Sequence, residues 1–157
     1  MTARPIVETL RQIAFLDGIT DEQLEQIAAI AILEDFPAGH VIFREGGPAT
    51  DVFLIADGSA SLEICSPGTG CRRILTVSHG ELLGWSPLLE LARLTATARA
   101  LTPATAIRIP AGPALALCEG DPRLGYELMR RTAMALAKRL SAARLQLLNL
   151  YGPEASN

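Results

Sequence analysis

The chain has 157 residues, 49% of them hydrophobic and 20% charged, with a formal net charge of −3. That is the profile of one globular domain able to bury a core without staples, and it excludes a low-complexity or collagen-like chain. The longest wholly apolar run of the first half, Ile27 to Leu33, falls far short of the roughly 20 residues of a membrane-spanning helix, and Arg4, Glu8 and Arg11 break the first apolar stretch where a secretion signal would be continuous. A cytoplasmic protein without membrane contact is expected.

Apolar residues recur at helical spacing over Glu8 to Leu16 and again over Asp21 to Leu33. Between them Gly18 is a stop, and Thr20, followed by Asp21 and Glu22, is a start: an N-cap with acidic residues in the first turn. The texture changes at Asp35. From there to Pro110 short β-branched or alternating runs are cut by Gly or Pro, which predicts strands over Leu33–Phe36, Val41–Phe43, Asp51–Ala56, Ser59–Ile64, Arg72–Val77, Leu82–Leu83, Thr95–Leu101 and Ala104–Ile109. Asp57-Gly58, set between two alternating runs, is the strongest hairpin signal. Many short, evenly spaced strands make an antiparallel sandwich or barrel.

After Pro110 the pattern is helical again. Pro113 to Cys118 makes a short helix, and Asp121-Pro122 opens a long one, with Asp as N-cap and Pro at the first helical position. Leu124, Leu128, Met129, Leu136, Leu140, Leu147 and Leu148 supply its apolar stripe as far as Tyr151, where Gly152-Pro153 stops it. Such a helix is about 45 Å long, more than a small β-domain covers, so its distal half is expected to pack against a partner or a second copy. The chain reads as one unit, 1–157: a helical segment 5–33, a β-domain 33–110 and C-terminal helices 111–151.

From Asp121 onward six basic residues face three acidic ones, while everything before sums to −6. The basic C-terminal helix is read as a solvated face that also pairs with the acidic body. Of the three cysteines, Cys65 and Cys71 flank the turn-forming Ser-Pro-Gly-Thr-Gly and could face each other across a hairpin; two free thiols in a reducing cytosol are expected. His40 and His79 lie in turns without Cys, Asp or Glu at metal spacing, and there is no GxSxG, P-loop or HExxH. Neither an enzyme nor a metal or cofactor site is expected.

One segment carries more. Gly80-Glu81-Leu82-Leu83-Gly84-Trp85-Ser86-Pro87-Leu88-Leu89-Glu90, followed by Thr95-Ala96-Thr97-Ala98-Arg99-Ala100-Leu101, resembles the phosphate-binding cassette of cyclic nucleotide-binding domains, the sensor domains of catabolite-activator/Fnr-type regulators and of protein kinase A regulatory subunits. Phe15-Leu16-x-Gly18-Ile19-Thr20-x-Glu22-x-Leu24, Gly39-x-Val41-Ile42-Phe43-x-Glu45-Gly46 and Asp51-x-Phe53-Leu54-Ile55-x-x-Gly58 are similar to other parts of that family, so the likeness covers about residues 12 to 150. It implies an α+β fold, mainly β: an eight-stranded antiparallel β-roll, or jelly roll, with N-terminal helices and a long C-terminal helix.

The family's cassette holds a cyclic phosphate on the backbone N–H groups of a short helix and on an Arg, and a Glu takes the ribose hydroxyl. Here the resemblance puts Trp85 at the Glu position and Leu94 at the Arg position. Losing two charged contacts of about 1.5–3 kcal/mol each weakens a micromolar site by roughly 10² to 10⁴-fold, and Pro87 removes one cassette N–H. The candidate ligand-binding residues are Gly84, Trp85, Ser86, Leu88, Arg93, Leu94 and Thr95. Trp85 either fills the ribose position, leaving a flatter apolar pocket, or packs as core. Ser86 either donates to an anion or caps the cassette helix, and Arg93 is either a shifted phosphate ligand or a solvated loop charge. Arg99 is an outward-facing surface residue.

The resulting expectation is a regulatory sensor that takes a nucleotide or another small anion in the 80–97 cassette and passes the signal through the C-terminal helix. Its alternative is a ligand-independent dimerisation or docking module. Both imply a homodimer through Leu136, Leu140 and Leu147 and no direct contact with DNA, because family members that bind DNA carry a further helix-turn-helix domain after the long helix.

Overall fold

The computed structural model describes residues 3–151; the Gly152-Pro153 helix stop lies outside them. Helix α1 (Ala3–Arg11) is followed by a single 3-10 turn, Ala14–Leu16, and by α2 (Asp21–Ile30). The continuous helix expected over Glu8 to Leu16 is therefore two pieces, parted where Ile13 turns extended (φ −85°, ψ 118°) and buries its side chain. The predicted cap is present. Thr20 Oγ1 accepts from the Gln23 N–H at 3.1 Å, and Gln23 Oε1 accepts from the Thr20 N–H at 3.2 Å, a reciprocal capping box. Thr20→Ala should cost about 1 kcal/mol, read as a lower urea midpoint at unchanged m.

Eight strands follow among the described residues: β1 (Ile32–Phe36), β2 (Val41–Phe43), β3 (Asp51–Asp57), β4 (Ser59–Ser66), β5 (Gly70–Ser78), β6 (Leu82–Leu83), β7 (Thr97–Ala100) and β8 (Ala104–Pro110). They form two four-stranded antiparallel sheets, in the orders β1-β8-β3-β6 and β2-β7-β4-β5. This is the expected β-roll. Strand β7 begins two residues later than predicted, because the chain before it is pinned to another loop: the Leu94 N–H donates to Gly47 O (2.9 Å) and the Gly46 N–H to Leu94 O (2.8 Å). Helices α3 (Ala111–Gly120) and α4 (Pro122–Tyr151) close the fold. Asp121 caps α4: Oδ1 accepts from the Leu124 N–H and Oδ2 from Gln23 Nε2, each at 3.2 Å, and these bonds hold the carboxyl below the usual carboxylate range.

Two apolar cores share one sheet. Period-two alternation turns Val52, Leu54, Leu82, Ile107 and Ile109 outward onto the helices, where they meet Leu10, Ile13, Leu16, Leu24, Ile27 and Leu124. Their neighbours Phe53, Ile55, Leu83, Ala104 and Ala106 turn inward and meet Leu62, Val77, Ala98 and Ala100 of the other sheet. Residues 52–55 of β3 are thus buried on both faces.

The expectation of free thiols at Cys65 and Cys71 is corrected. The two stand opposite each other in the β4–β5 register, Cα atoms 3.9 Å apart, and are disulfide-bonded; Cys118 is the free cysteine. The tight Ser66–Gly70 turn enforces that pairing, a consequence of strand register rather than of cysteine count.

Candidate functional site

The cassette begins where the chain bends twice on glycine. Gly80 (φ +87°) donates its N–H to Ile55 O at 2.7 Å and accepts from the Phe15 N–H at 3.1 Å, so it passes directly under the Ala14–Leu16 turn. Gly84 (φ +78°) lies against the aromatic pair of the roll interior, and a Cβ there would stand 3.0 Å from Phe43 Cε2. Phe43 and Phe53, ring centroids 5.7 Å apart, fill the space beside it.

Next comes a 3-10 turn, Ser86–Leu89, rather than an α-helix. The Leu88 N–H is spent on Trp85 O (2.9 Å), and Pro87 has none to offer. The turn closes on Glu90 in the left-handed region (φ 59°), with the Leu91 N–H donating to Ser86 O at 3.1 Å. Trp85 occupies the N-cap position without a side-chain cap bond, so Ser86 is the first residue of the turn and not its cap.

The seven candidate residues are dispersed. Gly84 and Leu94 belong to the roll interior side; Leu94 lines a cavity of about 210 Å³ together with Phe43, Phe53, Glu34, Asp51 and Arg108. Trp85 and Leu88 face the opposite way: Leu88 is buried in the helix-side core and Trp85 is half-buried against it. Ser86 is buried in the turn, and Thr95 is exposed. Arg93 points outward, its Nη1 donating to Gly46 O at 3.1 Å. Alternation along the 93–95 loop sends Arg93 and Leu94 to opposite sides.

The remaining charges near the roll are mostly matched. Arg108 sits between Glu34 (3.1 Å) and Asp51 (3.2 Å), which raise its pKa. Arg99 pairs with the buried Glu63 at 3.3 Å and donates to Gly39 O, while Ser61 Oγ donates to the same carboxylate. Glu63, Cys65 and Cys71 bring potential metal-ligand atoms within 4.8 Å of one another. With the cysteines bridged and Glu63 engaged, that cluster holds a structural hairpin.

A second cleft went unnoticed in the sequence. Helix α4 runs past β5 and β6, the end strands of the two sheets, and leaves an open cleft of about 430 Å³ lined by Phe15, Leu75, Thr76, Glu81, Leu82 and Arg139, among others. Three α4 side chains reach main-chain carbonyls: Arg131 Nη1 that of Phe15 (3.1 Å), Arg139 Nη2 that of Leu82, and Gln146 Nε2 that of Ile74 (3.0 Å). The basic face expected to be solvated and to pair with the body does both: Arg130, Lys138 and Arg144 are exposed, while Arg131 and Arg139 turn toward the body, onto carbonyls rather than acidic side chains. Their spacing with Gln146, eight residues and then seven, was the available signal.

A profile of the cyclic nucleotide-binding domain family matches residues 33–121. Among solved structures the chain is similar to a putative cyclic nucleotide-binding protein from Geobacter metallireducens GS-15, 33% identical with a TM-score of 0.74 over 85% of this chain and 96% of that one. It is also similar to the N-terminal domain of a transcriptional regulator from Streptomyces coelicolor A3(2), 25% identical with a TM-score of 0.68 over 83% and 93%. Among curated proteins, glutaminase 1 of Bradyrhizobium diazoefficiens is 29% identical over 132 residues, which are 84% of this chain and 21% of that protein. The chain spans about a fifth of the length of the first curated relatives it matches.

Proposed function

The chain belongs to the cyclic nucleotide-binding domain family, and on that footing we propose a non-enzymatic regulatory module whose output is association through α4 and whose cassette has given up cyclic nucleotide recognition. The observation that carries this reading is an apolar row along α4, exposed at Leu140, Leu147 and Leu150. Leu136, Leu140, Ala143, Leu147 and Leu150 recur at alternating spacings of four and three, the seam of a two-stranded coiled coil. Leu140, Leu147 and Leu150 are 54%, 54% and 72% exposed, while Thr132, Ala135, Arg139 and Gln146 of the same helix face the roll. A heptad seam selects a second heptad seam, and this chain carries one, so the partner is a second copy. No helix among the described residues is long and apolar enough to cross a membrane.

The cassette supports the second half of the proposal. Its Glu and Arg positions hold Trp85 and Leu94, its turn carries Pro87, and the nearest arginine is tied to Gly46. Cyclic AMP at about 1 mM should therefore leave the melting temperature unchanged, whereas a ligand at 100 times its dissociation constant adds about 2.7 kcal/mol of stability. A clear upward shift would overturn the cassette reading. Light scattering tests the association reading: a mass of twice 16.7 kDa is expected, and a monomer at about 100 μM, an association free energy weaker than about −5.5 kcal/mol, would sink it.

A further inference from the structure

Of Arg99, Arg108, Arg131 and Arg139, which meet the roll or its cleft, only Arg139 forms no ion pair with a carboxylate among the described residues. Arg108 has Glu34 and Asp51, and Arg131 has Glu127 at 3.2 Å. Arg139 spends Nη2 on Leu82 O, and its Nη1 is buried without a hydrogen-bond partner. Burial lowers its pKa, partly offset by the charge of Glu81. Glu81 itself turns to the backbone, its Oε1 accepting from the Ser78 N–H at 2.8 Å. A half-buried cation that bonds no carboxylate, offset only by the nearby charge of Glu81, weakens the fold that holds it. This one lines the cleft of about 430 Å³ between α4 and the end strands, a cleft walled by Phe15, Leu75 and Leu82, with the exposed Lys138 at its edge. That volume lies within the roughly 300–1,000 Å³ of small-molecule sites.

We propose that this cleft binds a small organic anion, its phosphate or carboxylate on Arg139 and its apolar or aromatic body against Phe15, Leu75 and Leu82. The anion-recognising group is then on the long helix and not in the cassette, which reverses the arrangement that the cassette resemblance implies. The proposal rests on the reading of α4 as the output element and supplies that element with an input. An anion on Arg139 bridges α4 to the strand ends, so occupancy and the attitude of the helix are one equilibrium.

The test uses 1-naphthyl phosphate and 1-naphthoate, with 1-naphthol as the neutral control, titrated calorimetrically into the full chain. Both anions should bind, and Arg139→Met should weaken them about 10- to 100-fold, the effect of one charge-assisted bond, while leaving 1-naphthol unaffected. Without ligand, Arg139→Met should melt no lower than the parent, since it removes an unmatched charge and keeps an apolar stem. A residue that merely ties α4 to Leu82 would instead lower the melting temperature. Arg93→Ala should bind both anions as the parent does. Absence of binding up to about 10 mM, equal affinity in Arg139→Met, or loss of affinity in Arg93→Ala would each overturn the proposal. The oligomeric mass, measured on the same samples, reports separately on the association reading.

Discussion

Leu140→Asp combined with Leu147→Asp should convert a dimer into a monomer of 16.7 kDa. Both side chains are more than half exposed in the single chain and sit at successive positions of the same heptad row. Burying the exposed half of each in a seam is worth about 0.8–1.5 kcal/mol, and the dimer buries two per chain. The aspartates remove that gain and add like charges facing each other, so the dissociation constant should rise by at least about 10²-fold. Sedimentation velocity reads the mass, and circular dichroism checks that the fold survives. It should survive, because neither residue touches the face of α4 that carries Arg131, Arg139 and Gln146. An unchanged mass would mean that association, if any, runs through another surface.

The largest stability loss is expected at Gly58→Ala, about 2–4 kcal/mol. Gly58 has φ +82°, and a Cβ there would stand 2.4 Å from Pro103 O and 2.9 Å from Ala104 Cα. Neither atom is free to retreat. The facing turn is held by the Leu101 N–H on Ser59 O (2.9 Å) and by the Ser59 N–H on Thr102 Oγ1 (3.2 Å). Strain in the left-handed region adds to the clash. Urea unfolding should show the loss as a lower midpoint at constant slope. Gly39→Ala is the control: its φ is +86° but nothing lies within 4 Å of the added carbon, so a smaller loss is expected.

Local chemistry made most of the fold legible. Thr20 before Asp21 and Glu22, Asp57-Gly58 and Asp121-Pro122 each announce an element boundary through local chemistry. The strand bounds needed only short apolar or alternating runs cut by Gly or Pro, and β2 and β6 match their predicted ranges. The errors fall where distant contacts decide. Ile13 breaks the first helix because it is drawn into the core, and Thr95 and Ala96 stay out of β7 because Leu94 is bonded to the Gly46–Gly47 loop. The disulfide depends on strand register, which two cysteines and a turn do not encode alone.

The candidate site was less legible for the same reason. Which side of a thin loop a residue faces separates Arg93 from Leu94, and which core a side chain joins separates Trp85 from Gly84. A resemblance aligns positions along the chain, but it carries no such orientation. Arg139 looked like one basic residue among several on an amphipathic helix. Its significance lies in what is missing around it, and that is visible only once the strands are in place.

The three bonds by which α4 grips the body all end on main-chain carbonyls, at Phe15, Leu82 and Ile74. A carbonyl acceptor is present whatever side chain its residue bears. Substitution at those three acceptor positions would thus leave the grip intact, whereas each donor on the helix has few replacements of equal reach. As far as these bonds go, drift should be lopsided: the acceptors are constrained only by packing, as Phe15 and Leu82 are, whereas Arg131 and Gln146 are restricted as donors and Arg139 by the anion proposed for it. Relatives could then line the same cleft with different apolar residues and suit it to different occupants without losing their hold on the helix.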